Sequence, residues 1–163
     1  MSYSKQSFQL GLHGSIMYTQ FVETWSVDFS EDFAQEVKQK RISLHNYPYS
    51  WIALVDMSRW GIAPLKGIEK LSKIRNDSLG DDTCLGTIYY TGKDITTYNI
   101  YTVNMSIPNT GKEIVVCTSL EEVLDKLRKF QMQDNIIEFK EKNIKLFLLE
   151  NKTLAELFGE NVL

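Results

Sequence analysis

The chain has 163 residues, with 18 Lys and Arg against 21 Asp and Glu for a formal charge of −3. It carries no basic tract, so the electrostatic footprint of a nucleic-acid binder is missing. Hydrophobic residues make up 43% and charged residues 24%, which excludes a disordered or low-complexity chain and provides for one real core.

From Phe8 to Val22 apolar residues alternate, Phe8, Leu10 and Leu12 and then Ile16, Tyr18 and Phe21, with Gly14-Ser15 between them. This predicts an N-terminal β-hairpin. After Trp25 the period lengthens: Phe29, Phe33, Val37 and Ile42 fall near helical spacing behind Asp28 or Ser30 as cap. Acids lead and bases trail, which suits the helix dipole. Ser50 to Met57 is a short, almost wholly apolar run of the kind buried on both faces of a sheet, and it is the expected central strand. Ser58-Arg59-Trp60-Gly61 reads as a loop, and Pro64 opens a second helix through Leu65, Ile68, Leu71 and Ile74. Cys84 to Tyr90 and Glu113 to Cys117 read as strands. Between them, Asp94 to Ile107 mixes β-prone residues with helical spacing and is read as a helix. Ser119 to Glu122 forms an S-x-x-E capping box before a helix whose apolar face is Leu120, Val123, Leu124, Leu127 and Phe130. The stretch past Gln133, rich in Ile, Leu and Phe, is too apolar to hang free and is expected to pack on the domain or on a second copy.

This order of hairpin, helix, buried strand ending in Asp, helix, strand, helix, strand and helix resembles the STAS superfamily, specifically its SpoIIAA-like branch. The local wording is similar at Glu23-Thr24-Trp25, Asp32-Phe33-Ala34, Trp51-Ile52-Ala53-Leu54-Val55-Asp56 and Glu122-Val123-Leu124. The resemblance implies an α/β fold, a mixed β-sheet with an N-terminal hairpin and helices packed against it. It assigns residues 1–133 to that domain and leaves 134–163 as an extension. It also implies a bacterial protein with a binding or regulatory role instead of catalysis. The best-known members are anti-sigma-factor antagonists, gated by phosphorylation in a D-S-[ST]-G motif that opens the helix after the central strand. Here Gly67 falls on the motif glycine, but Pro64, Leu65 and Lys66 fall on its acid and hydroxyl positions. No acceptor hydroxyl stands at that point, so a phosphate switch is not expected there; Ser58, upstream, is the nearest alternative.

The residues offer little to a metal or a nucleophilic mechanism. His13, His45, Cys84 and Cys117 are dispersed without C-x-x-C or H-x-x-x-H spacing, so no metal or cofactor is expected and the thiols read as buried and reduced. Gly92-Lys93-Asp94 and Gly111-Lys112-Glu113 lack the rest of a P-loop and read as turns with solvated charges. No nucleophile, base and orienter share a spacing, and the chain is not expected to be an enzyme. The start has no signal-peptide pattern and no apolar run reaches membrane-span length, so the expectation is cytoplasmic, with no membrane span and no nucleic acid.

Binding is the better-supported expectation. In open α/β sheets ligands gather at the carboxyl ends of the strands. That edge collects Trp25, then Asp56, Ser58, Arg59 and Trp60, then Tyr89 and Tyr90. Trp25 and Tyr89 have an alternative role in closing the top of the core. A Trp beside an Arg is the composition of an interface hot spot. The expected function is an interaction or regulatory module that contacts a protein partner or a second copy of itself through this edge. The rival is a carrier or sensor of a small apolar ligand in a cleft under Trp60, which a closed apolar cavity of roughly several hundred Å³ would favour.

Overall fold

The computed structural model describes residues 8–23, 27–44, 50–60, 65–92, 112–133 and 137–159, with the backbone course alone at 22–23, 27–30, 60 and 65–68. Strands β1 (Phe8–His13) and β2 (Ile16–Glu23) pair antiparallel, with His13 opposite Ile16. The turn is therefore Gly14-Ser15. Gly14 holds φ at 59°, a left-handed conformation that a side chain resists.

Three parallel strands continue the sheet. They are β3 (Trp51–Trp60), β4 (Cys84–Tyr90) and β5 (Glu113–Cys117), in the spatial order β1-β2-β3-β4-β5. Parallel neighbours need crossover connections, and helices α1 (Val27–Leu44) and α2 (Leu65–Leu79) provide the first two. After β5 come α3 (Leu120–Gln131), α4 (Glu141–Leu148) and the short α5 (Leu154–Phe158).

Strand period decides which helix meets which face. Met17, Phe21, Trp51, Val55 and Tyr89 point to one side and pack with Phe33 and Val37 of α1 and Leu79 of α2. Ile16, Tyr18, Ile52, Leu54 and Ile88 point to the other and pack with Val123, Leu127 and Phe130 of α3, Phe147 of α4 and Leu154 of α5. The result is three layers with an apolar core on each side of the sheet. β3 is buried on both faces because both cores meet on it, which is why its sequence reads as an unbroken apolar run.

The mixed sheet, its N-terminal hairpin and the packed helices match the sequence expectation. The central strand does not stop where expected. Arg59 pairs with Val22 and Trp60 with Glu23, so Ser58, Arg59 and Trp60 extend β3 and are not a loop. Strand β2 runs alongside to Glu23 and offers backbone partners that local polarity does not reveal. Ile42 is 58% exposed and the core position at that end of α1 belongs to Leu44. Lys112 is not a solvated charge, since its Nζ donates to the carbonyls of Asp81 at 3.1 Å and Cys84 at 2.6 Å. Ser119 accepts from the Glu122 amide at 3.2 Å, but the Glu122 carboxylate takes the amide and hydroxyl of Thr118 instead of closing the box on Ser119. The expected helix at 94–107 lies outside the described residues.

The C-terminal segment docks on the hairpin. Ser15 and Glu138 exchange hydrogen bonds, Ser15 N–H to the Glu138 carbonyl and Glu138 N–H to Ser15 Oγ, both at 2.7 Å. The ring of Phe147 meets Tyr18 edge-on at 5.1 Å, and Phe158 stacks on His13 at 3.9 Å between centroids. Ile144, Phe147 and Leu154 are fully buried, each contributing roughly 1.5–3 kcal/mol of transfer free energy.

Candidate functional site

Strand register carries one row of side chains across the whole sheet. Gln9 lies opposite Gln20, Gln20 opposite Asp56, Asp56 opposite Tyr90 and Tyr90 opposite Cys117. The row lies toward the carboxyl ends of the parallel strands, on the face covered by α3 to α5. Deeper along the same face the residues are apolar, Tyr18, Leu54 and Ile88, so this row is where the sheet turns polar.

Asp56 is fully buried, and a buried carboxylate persists only with its oxygens occupied. Oδ2 accepts from Gln20 Nε2 at 2.9 Å, and Oδ1 accepts from the Ser58 amide at 2.9 Å and the Ser58 hydroxyl at 2.7 Å. Because its amide group donates to Asp56, Gln20 presents its Oε1 outward. That oxygen accepts from Arg59 Nη2 at 2.7 Å and from Gln9 Nε2 at 3.2 Å.

A bulge makes this geometry. Between Gln20 and Val22 the register shifts, so β3 carries one extra residue before Arg59 meets Val22. Without the shift Arg59 would lie on the opposite face from Asp56; with it, the guanidinium reaches Gln20. Ser58 and Arg59 are both exposed, while the carboxylate that organises them is not. Gly92, two residues past β4, borders the site at φ 72°, and a Cβ there would lie 3.4 Å from Ser58 Cβ and 3.9 Å from the Tyr90 hydroxyl.

The groups here are poor nucleophiles. Burial first, and the Asp56 carboxylate second, push the Tyr90 hydroxyl above its ordinary value. Burial pushes the Cys117 thiol up to about 11, with Glu122 adding to it and Lys126 opposing. A protonated thiol and phenol are inert as nucleophiles at neutral pH. Among the described residues no group of three or more His, Cys, Asp or Glu is placed to hold a metal ion. Cys84, at the far end of β4, is likewise buried and free.

Of the residues expected at the edge, Asp56, Ser58, Arg59 and Tyr90 come together. Tyr89 does not join them: it points to the opposite face and receives a hydrogen bond from Arg75 of α2. Adjacent residues on a strand cannot share a face. Trp60 ends β3 next to Arg59 with only its backbone described, and Trp25 lies outside the described residues. Gln20 was not singled out from sequence, although its position was informative: it follows Ile16 and Tyr18 at even spacing, a polar side chain on an inward face.

No protein-family model and no curated protein matches the chain. Among solved structures, an uncharacterized protein of the DUF3478 family from Shewanella loihica PV-4, described as having a SpoIIAA-like fold, is similar with a TM-score of 0.55. The match spans 74% of this chain and 93% of that one at 11% identity. At that identity the likeness is one of fold, and the fold of this chain is SpoIIAA-like. Among the described residues no helix is long and apolar enough to cross a membrane.

Proposed function

We propose that the chain is a non-catalytic interaction module that contacts a protein partner or a second copy of itself through the strand edge carrying Ser58, Arg59 and Trp60. The observation that carries this reading is the buried Asp56–Gln20 pair, which holds an exposed guanidinium from below. An arginine fixed in this way binds a partner with little further loss of side-chain freedom. Trp60 follows Arg59 on the same strand end and is the second anchor of the contact. The contact is not gated by phosphate at the start of α2, where Leu65, Lys66 and Gly67 offer no hydroxyl.

The test takes the full chain as bait, identifies what it retains by mass spectrometry, and measures the purified partner against Arg59→Ala. Arg59 is exposed, so the variant is expected to keep the parent's stability within about 0.5 kcal/mol while binding weakens by about 2 kcal/mol or more. If Arg59→Ala binds as the parent does, the edge is not the interface.

A further inference from the structure

The face of the sheet away from Asp56 contains a cavity, between the strands and the α1–α2 pair, that the proposed interface does not use. Its floor is set by Ala53, which lies opposite Met17 on β2 and Thr87 on β4. A lone methyl between larger neighbours leaves a hollow that Trp51 and Val55, two residues away on either side, do not fill. The cavity measures about 50 Å³ and opens to solvent. A water molecule needs roughly 10–15 Å³ of such volume, so the cavity takes a few water-sized groups, and a longer chain would extend through its open side.

Its walls divide into two kinds. Phe21, Phe33, Val37 and Leu71 make an apolar side. Thr19, Thr87 and Ser78 line it too, with Arg75, which is only 6% exposed and whose guanidinium donates to Asn76 Oδ1 at 3.3 Å and to Tyr89. Arg75 occupies the inward stripe of α2, one residue past Ile74 and four past Leu71, where helical spacing calls for an apolar side chain. A mostly apolar cavity with a few convergent polar groups and one buried cation has the composition of a small-molecule site. A hydrocarbon would make no use of the cation. A carboxylate beside Arg75 gains a charge-assisted pair shielded from water, while a short chain behind it fills the hollow over Ala53.

We infer that this cavity is a binding site for a small monocarboxylate with a short apolar chain, its carboxylate held by Arg75 and its chain lying over Ala53. The inference is independent of the proposed interface, which lies on the other face.

The experiment titrates the full chain with butyrate, hexanoate and octanoate, and with the alcohol of equal length for each. Binding is read by thermal shift and by calorimetry. At least one acid is expected to bind at millimolar concentration or below and to raise the melting midpoint, with its alcohol at least about tenfold weaker. Arg75→Gln is expected to abolish the preference for acid over alcohol. Ala53→Val fills the hollow with two methyl groups and is expected to remove binding of both; it also keeps the inference testable should Arg75→Gln fail to fold. If none of the three acids binds at millimolar concentration, if Arg75→Gln retains the preference, or if Ala53→Val binds as the parent does, the site is refuted.

Discussion

Asp56 and Arg59 sit three residues apart, yet their removal should have opposite consequences. Asp56→Ala leaves Gln20 Nε2 and the two Ser58 donors without their acceptor. Ser58 is exposed and water can take its donors, but Gln20 is buried, and a buried donor left unsatisfied costs about 1–3 kcal/mol; a loss of about 2 kcal/mol is expected in urea denaturation. The thiols set a second expectation. Burial pushes Cys84 up to about 12 and Cys117 up to about 11, each from 9.0. Below pH 9.0 both the native and the unfolded chain keep these protons. Above it the unfolded chain releases them and the native chain does not, so stability falls as pH rises from 9.0 toward about 12. For Cys84 the slope is at most about 1.4 kcal/mol per pH unit. Denaturation midpoints between neutral and alkaline pH should show this decline, and Cys84→Ala should flatten it. An acid inside an apolar run made Asp56 legible in the sequence. Tyr89 and Tyr90 were placed together because proximity in sequence was read as proximity in space, where a strand alternates them between two faces.

Elements were legible wherever the hydrophobic period was undisturbed and illegible where a tertiary neighbour overrode it. The hairpin, α3 and the buried part of β3 follow directly from their spacing. The last three residues of β3 do not, because Ser58 and Arg59 have the polarity of a loop and are held in the strand by β2 and a bulge. Gly14 shows the reverse case, a turn legible from sequence with a second constraint that was not. Its φ of 59° already disfavours a side chain, and a Cβ there would run into the backbone carbonyl of Glu138. Gly14→Ala should therefore destabilise by about 2–4 kcal/mol, from backbone strain together with overpacking. Thermal unfolding of the full chain checks the value. A change below about 1 kcal/mol would mean that residue 138 moves aside at little expense.

At the scale of the whole molecule, residues 137–159 are structural to the second face of the sheet. Ile144, Phe147, Leu148 and Leu154 share a core with Tyr18, Ile52 and Leu54 of the strands. A chain ending at Gln133 should expose that face. It is expected to lose its sharp thermal transition and to aggregate in light scattering, whereas a truncated chain that still unfolded cooperatively near the parent's midpoint would make the segment dispensable. The sequence showed that this segment needed cover but not which surface provided it, because a row of Ile, Leu and Phe specifies burial and not a partner.

The exchange between Ser15 and Glu138 joins the hairpin turn to a segment 123 residues further along. Synthesis proceeds in one direction, at roughly 5–20 residues per second. The first hairpin leaves the ribosome with Ile16 and Tyr18 facing outward, and the residues that cover them, Phe147 and Leu154, are translated many seconds later. During that interval the nascent chain presents an apolar sheet face still lacking the cover of α4 and α5, and a chain released before them would keep it exposed. A chaperone that recognises exposed apolar strands would find its substrate in such incomplete chains, and lose it once α4 and α5 arrive.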